Sequence, residues 1–256
     1  MTKKKPISVF IIAKNEAKRI PLTISSVIDW VDEVIVIDSG SEDNTVEIAK
    51  QLGAKVIFNE WPGYGQQKIF GESLCKNDWL LNLDADEAIS SKLKESICKL
   101  FEKGKPEKSA YILKWKTLFR PEDSNPPLFA PGGSCIRLYN KNKAGFRDST
   151  VHDSVVIKQG KTGTLKGYIL HRSFENLEKW TGKIGFYTSQ QAKDLFSKGR
   201  NPSSLRILFE PFFSFLKAYF LRRYFIYGVD GFIASFIYAY AKLIRLAKAR
   251  ELFLKN

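Results

Sequence analysis

Three cysteines in 256 residues, Cys75, Cys98 and Cys135, are odd in number and far apart, and no CxxC pair occurs. That excludes a disulfide framework and argues against zinc or thiol redox chemistry, leaving a reducing cytoplasm as the simpler expectation. Long apolar runs are also missing. The run behind the basic start, Val9 to Ala13, is too short for a signal-peptide core and no small-residue cleavage site follows, so a first buried strand is expected there. In the aromatic C-terminal stretch the longest charge-free run, Gly231–Ala241, falls short of the roughly 20 residues that cross a bilayer. No glycine-rich phosphate loop follows the first apolar run, where AKNEAKRI stands, which argues against a nucleotidyltransferase. Internal repeats, low-complexity tracts and nucleic-acid motifs are absent as well. Acidic residues are outnumbered, 27 Asp and Glu against 41 Lys and Arg, for a net charge of +14. Such an excess points to partners that carry phosphate, either nucleic acid or anionic lipid.

What is present reads first as an α/β chain. Apolar runs at Ile7–Ile12, Val34–Ile37, Lys55–Phe58 and Trp79–Leu83 alternate with helical stretches at Pro21–Ile28, Thr45–Leu52 and Tyr64–Cys75, the second closed by Gly53. Short connections between such elements imply a mainly parallel sheet in a three-layer sandwich, whose ligands sit outside the carboxyl ends of the strands. Lys14, Asp38 and Asp84 each fall just past a strand end, so one crevice should hold all three. From Ser109 the pattern changes to strands, YILKWKTLF and CIRLY, around a Pro/Gly-rich stretch, and no long helix is expected before Leu177. The division expected is a catalytic domain over 1–200 and a basic, aromatic helical tail over 201–256. In that tail Phe232, Ile233, Phe236, Ile237, Tyr240, Leu243, Ile244 and Ala247 recur at helical spacing, with Lys242, Arg245 and Lys248 on the other side. That pattern suits a helix lying in a membrane interface with basic residues toward lipid phosphates; a helical pair packed on the domain is the competing reading.

The strongest chemical signal is Asn82-Leu83-Asp84-Ala85-Asp86-Glu87 behind an apolar strand. Carboxylates at i and i+2 on a strand-ending turn can converge on a hard cation, Mg²⁺ or Mn²⁺, that also takes oxygens from a diphosphate and offsets the charge of a departing nucleotide. A solvated acidic turn that caps the next helix, a task Ser90 or Ser91 could serve instead, is the competing reading.

With Ala13-Lys14-Asn15-Glu16 behind the first strand and Asp38-Ser39-Gly40-Ser41-Glu42-Asp43-Asn44-Thr45 behind the second, the chain resembles the family-2 glycosyltransferases, which have the GT-A fold. The matching pieces are VFIIAKNEAKRI, VIVIDSGSEDNTVEIA and LLNLDADE, in the family's order and spacing, over about residues 6–90. RLYNK, VHDS and LHRSFENLEKW extend the likeness more loosely, toward the lipopolysaccharide-core glucosyltransferases. The resemblance implies an inverting transfer of a sugar, glucose from UDP-glucose, to a lipid-linked saccharide. It implies work at the cytoplasmic face of the cell membrane, with an anionic lipid surface as partner and no nucleic acid. Residue by residue, it implies that Asp38 binds the uracil or ribose, that Asp84 lies near ribose and diphosphate, and that Asp86, with Asp84, holds the metal. Lys14 and Glu16 would line the nucleotide pocket. Asp153, in Thr150-Val151-His152-Asp153-Ser154, would be the base that takes the acceptor's proton, with Asp148 and Glu87 as alternatives and His152 as a hydrogen-bonding neighbour. His171 matches a late histidine that serves some GT-A enzymes as a further metal ligand; a core histidine is the other reading. Arg137 and Lys183 are candidates to meet phosphate, and Trp61, Trp115 and Trp180 to stack on sugar, with surface placement and core packing as their respective competitors.

Overall fold

The computed structural model describes residues 4–102, 104–119, 123, 125–148, 154–172, 174 and 177–255. The described chain forms two compact units, one of residues 1–116 and 132–172, the other of 117–131 and 173–256. The second unit thus takes in 117–131 as well as the stretch that begins at Ser173.

The first unit is built on an eight-stranded sheet. Its strands are β1 (Lys5–Ala13), β2 (Val31–Asp38), β3 (Lys55–Phe58), β4 (Trp79–Asp84), β5 (Glu87–Ile89), β6 (Ala110–Thr117), β7 (Gly132–Asn140) and β10 (Thr162–His171), while β8 (Ala144–Phe146) and β9 (Val155–Ile157) form a separate antiparallel pair. The order is β3-β2-β1-β4-β7-β6-β10-β5. β1 pairs in parallel with β2 and β4, and β2 with β3. β7 runs antiparallel to β4 and β6, and β10 antiparallel to β5.

The continuous apolar runs of β1, β2 and β4 are those of strands covered on both faces, and alternation divides their side chains between two cores. Ile7, Val9, Ile11, Val34 and Val36 face one layer, with Ile20 and Ile24 of α1 (Ile20–Ser25), Ala49 of α2 (Thr45–Gln51) and Leu93 and Ile97 of α4 (Ser91–Leu100). Phe10, Ile12, Ile35, Ile37 and Leu80 face the other, where α3 (Tyr64–Leu74) and the β8–β9 pair cover them. Each such side chain removed from water contributes about 1.5–3 kcal/mol. α3 lies close against the sheet at Gly71, where a Cβ would stand 2.7 Å from the Phe10 ring. The expected three-layer α/β sandwich is therefore formed. Helix α1 stops at Ser25 instead of Ile28, because the chain tightens there: Val27 N bonds to Ile24 O.

The second unit is helical. It contains α5 (Leu177–Ser197), α6 (Ser204–Leu216), a π turn (Lys217–Leu221), a 3₁₀ turn (Tyr224–Tyr227) and α7 (Gly228–Lys255). Ser203 caps α6 by accepting Arg206 N. Gly231 lies where a Cβ would fall 1.8 Å from Tyr224 O, so the 3₁₀ turn packs down on the first turn of α7 only over a glycine. Polar bonds join the helices. Lys248 Nζ donates to Gly185 O at 2.8 Å, Thr188 Oγ1 at 3.0 Å and Ser189 Oγ at 2.8 Å on α5. Arg245 Nη2 reaches Glu210 Oε1 of α6 at 2.6 Å, and Arg206 holds the other oxygen. This corrects the expected basic face of α7. Arg245 and Lys248 turn inward to partners on α6 and α5, and among the three expected lipid-facing cations only Lys242, beside the Tyr238 ring, lacks such a helix-to-helix bond among those described.

Candidate active site

Three parallel strands deliver their polar ends to one edge of the sheet. In register, Ala13 of β1 stands opposite Asp38 of β2, and Ile12 opposite Asp84 of β4. Lys14, Asp38 and Asp84 therefore share the carboxyl edge, as the sequence implied, and the loops behind β1 and β2 are tied together there. Asn15 adopts a left-handed backbone (φ 56°). Its N–H donates to Ser41 Oγ, Glu16 N to Thr45 Oγ1 and Ala17 N to Asp43 Oδ2, while Glu42 N donates back to Asn15 Oδ1. Asp38 is buried, and its carboxylate accepts Gly40 N and Ser41 N, both at 3.0 Å, and the Ser41 hydroxyl. It thereby fixes the loop in which it sits. Lys14 is exposed at the rim.

The Asp84–Glu87 turn is held from two sides. Thr23 Oγ1 of α1 donates to Ala85 O at 2.8 Å, and Arg172 N, just after β10, donates to Asp86 O at 2.8 Å. Its carboxylates meet three cations. Lys68, fully buried on α3, reaches Asp84 Oδ1 at 2.9 Å. Arg137 of β7 bonds Asp84 Oδ2 at 2.7 Å, Glu87 Oε1 at 2.8 Å and Asn82 Oδ1 at 2.7 Å. Glu87 Oε2 accepts Asp84 N. Burial opposes charge on Asp84, but Arg137 and Lys68 outweigh it and hold the carboxyl well below the usual range. For Glu87 burial prevails over Arg137 and, with the Asp84 charge beside it, raises the carboxyl. Asp84 keeps a third of its side-chain surface open, so it faces both the network and the crevice.

Asp86 belongs to a second chain of charges. Glu16 takes Arg19 in a two-point fork, through Nη2 at 2.5 Å and Nε at 2.7 Å. Arg19 Nη1 reaches Arg172 O at 3.0 Å and Asp86 Oδ2 at 3.3 Å. The same Asp86 oxygen lies 3.4 Å from His171 Nε2. Burial disfavours the charged imidazole, yet Asp86 overrides it and raises the His171 pKa. The Trp115 ring meets His171 edge-on at 5.6 Å.

This arrangement bears on a divalent ion in a definite way. Among the described residues no group of three or more His, Cys, Asp and Glu is placed to hold an ion by protein donors alone. Asp86 and His171 nonetheless converge, both partly open to water. One carboxylate oxygen and one imidazole nitrogen fit an ion of the Mg²⁺/Mn²⁺ kind that completes its shell with phosphate oxygens and water. Asp84 has both oxygens on cations and is the less available donor.

Other candidates fall elsewhere. Asp153 and His152 lie outside the described residues. Asp148 accepts from Gln66 Nε2 at 2.7 Å in an exposed setting. Arg137, a candidate to meet phosphate, is buried among carboxylates instead. Trp61 packs on Tyr64, while Trp180, against Phe174, and the exposed Lys183 belong to the helical unit. Sequence reasoning missed Lys68 and Arg19. For Lys68 a signal existed: it shares a helical face with Gly71 and Cys75, both packed inward, and a lysine on an inward face requires a carboxylate. A cavity of about 740 Å³ opens at the opposite end of β1 and β4, lined by Lys4, Lys5, Asp32 and Lys76, away from all of these groups.

A sheet with parallel strands ending in loop-borne carboxylates, flanked by antiparallel strands that close over them, is the architecture of a GT-A glycosyltransferase. The model of the family described as Glycosyl transferase family 2 matches residues 8–127. A glycosyltransferase of Rickettsia prowazekii (strain Madrid E) is 47% identical over 261 residues, 98% of this chain and 89% of its own. The lipopolysaccharide core biosynthesis glycosyltransferase LpsC of Rhizobium meliloti (strain 1021) is 27% identical over 97% of this chain and 93% of its own. Among solved structures, S. aureus TarS is similar with a TM-score of 0.50 at 15% identity, over 93% of this chain and 55% of that one. The chain belongs to glycosyl transferase family 2.

Proposed function

We propose that the protein transfers glucose from UDP-glucose, with inversion, to a lipid-linked saccharide of the lipopolysaccharide core, at the inner face of the cell membrane. The observation that carries the donor half is the placement of Asp38 and Asp84 at the carboxyl ends of the parallel strands β2 and β4, with Asp86 in the turn that follows β4. The acceptor half draws support from the near full-length likeness to a lipopolysaccharide core enzyme.

In this reading Asp86 and His171 hold a Mg²⁺ or Mn²⁺ ion, with Asp84 beside them. The ion supplies neutralisation of the charge that collects on the departing diphosphate. Asp38, Lys14 and Glu16 serve the nucleotide. Arg19 does not reach for substrate: it is fixed by Glu16 and in turn steadies Asp86. Arg137 and Lys68 keep Asp84 ionised at neutral pH, so its negative charge persists in the crevice. Asp153 takes the proton from the acceptor hydroxyl. Glu87 is poorly placed for that work, since Arg137 and the Asp84 amide occupy its oxygens.

The test is transfer of radiolabelled glucose from UDP-glucose to purified truncated lipopolysaccharide, with Mg²⁺, Mn²⁺ or EDTA. Transfer that requires the ion supports the reading; absence of UDP binding with either ion overturns it. Asp153→Asn should lower the rate about 100- to 10,000-fold with UDP affinity unchanged. A loss of only a few-fold would pass the role to Asp148.

A further inference from the structure

Helix α6 is turned the reverse of a water-facing helix. Leu205, Leu208, Phe209 and Phe212 recur at spacings of three and four, so they share one face. That face is open: Leu208 is 69% exposed and Phe212 59%. Two polar residues lie on the opposite side, where Ser214 is buried and Glu210 binds Arg245 of α7. A helix that packs its polar side inward and offers phenylalanine and leucine outward is arranged for an apolar medium. In the turn after the helix Phe220 and Leu221 are also exposed, the latter by 77%, as are Val229 and Phe232 at the start of α7.

We infer that this face of α6, with the turn that follows it, is the surface by which the enzyme seats itself in the headgroup region of an anionic lipid bilayer. The inference rests on the membrane-side acceptor of the proposed reaction and names the surface that meets the membrane. Charge selects lipid over the alternatives. Residues 200–256 carry ten Lys and Arg against three Asp and Glu, a net +7. Glu210 is bound by Arg206 and Arg245, and Glu251 by Lys255, while Asp230 is engaged as well. Lys217, Arg222 and Arg223 stand exposed immediately beside Phe220 and Leu221. Phosphate headgroups complement that rim; a second copy of the chain would bring the same cations against each other. Among the described residues no helix is long and apolar enough to cross a membrane. At 13 residues α6 is also shorter than the hydrocarbon core is thick, so the helix lies along the surface.

The experiment is co-sedimentation of the full-length protein with phosphatidylcholine vesicles with and without phosphatidylglycerol. Wild type should bind the phosphatidylglycerol vesicles. Leu208→Glu/Phe212→Glu should weaken that binding at least about tenfold, as expected when two large apolar side chains no longer enter the bilayer. Lys217→Gln/Arg222→Gln should remove the preference for phosphatidylglycerol. Phe212→Trp gives an independent reading, since brominated lipid should quench its added fluorescence. Equal sedimentation of wild type and Leu208→Glu/Phe212→Glu, or no quenching of the Phe212→Trp signal, would overturn the inference. So would a wild-type dimer that the double variant converts to monomer with vesicle binding unchanged. UDP binding, measured separately on each variant, isolates the reaction: its absence would sink the proposed chemistry and leave the vesicle result standing.

Discussion

The two units place charge and apolar surface in opposite ways. In the sheet unit the large aliphatic residues of β1, β2 and β4 are buried, and of the cations that approach the active edge Lys68 and Arg19 are buried with carboxylates and Arg137 nearly so. In the helical unit Arg245 and Lys248 tie α7 to α6 and α5, while leucine and phenylalanine side chains stand in the open. Stability in the first unit is therefore coupled to its chemistry: the ion pairs that shape the crevice are also interior contacts whose loss strands a charge. In the second unit the exposed residues do no folding work, so they are free to serve an encounter. A stable core can be disturbed by touching one polar group at the active edge, whereas the apolar face of α6 can be rewritten without harm to the fold.

The largest expected effect comes from Asp84→Ala. It leaves Lys68 and Arg137 buried with one partner fewer. Breaking a buried pair costs about 3–5 kcal/mol, and the lower end applies because Asp84 is itself a third open to water and Arg137 keeps Glu87. Urea denaturation should show this loss, together with loss of glycosyl transfer. Adding Lys68→Met should return part of the stability but none of the activity. If Asp84→Ala unfolds at the wild-type urea concentration, the coupling of fold and chemistry in the sheet unit is wrong.

Asp86→Ala sharpens the comparison from within the same turn. Its contacts to Arg19 and His171 are long, 3.3 and 3.4 Å, and Arg19 keeps Glu16 and Arg172 O as partners, so stability should fall less than in Asp84→Ala. Removal of a group that supports charge development typically lowers rate about 100- to 1,000-fold, and the tightening of UDP binding by Mn²⁺ should vanish with it. Calorimetric titration of UDP with and without Mn²⁺ checks this; retained Mn²⁺ dependence would move the ion away from Asp86.

The strands and the edge they define were legible in the sequence because a strand buried on both faces reads as an unbroken apolar run, as β1, β2 and β4 do. Asp38, Asp84 and Asp86 followed from where those runs stop. Ser90 as the cap of α4 was also readable, since its hydroxyl accepts Leu93 N as a capping serine does. The cations were harder to read, and for Lys68 the one signal was its inward helical face. Lys68 sits in YGQQKIFGESL, a stretch with little apolar contrast, and only the antiparallel β7, arriving from residues 132–140, brings Arg137 onto the same carboxylate. β5 was hidden in the same way: three residues directly behind the acidic turn become a strand because β10 pairs with them. In the tail, helical spacing disclosed an apolar face but not what covers it. Glu210 and Arg245 are 35 positions apart, and their bond decides that α6 turns its phenylalanines outward.

The smallest expected effect is on the stability of Leu208→Glu/Phe212→Glu. Both side chains are more than half exposed, so replacing them removes little buried area and leaves no charge stranded. The polar contacts that fix α6, Ser203 to Arg206 N at one end and Glu210 to Arg245 on its inner side, are untouched. Substitutions of exposed residues usually shift stability by no more than about 0.5 kcal/mol. New carboxylates at 208 and 212 add a further small term, since they lie on a strongly basic unit and relieve part of its self-repulsion. The double variant should thus unfold in urea at the wild-type midpoint or slightly above it, and bind UDP as wild type does. A loss of several kcal/mol would mean that the face is covered within the folded protein, and the contrast between the two units would collapse.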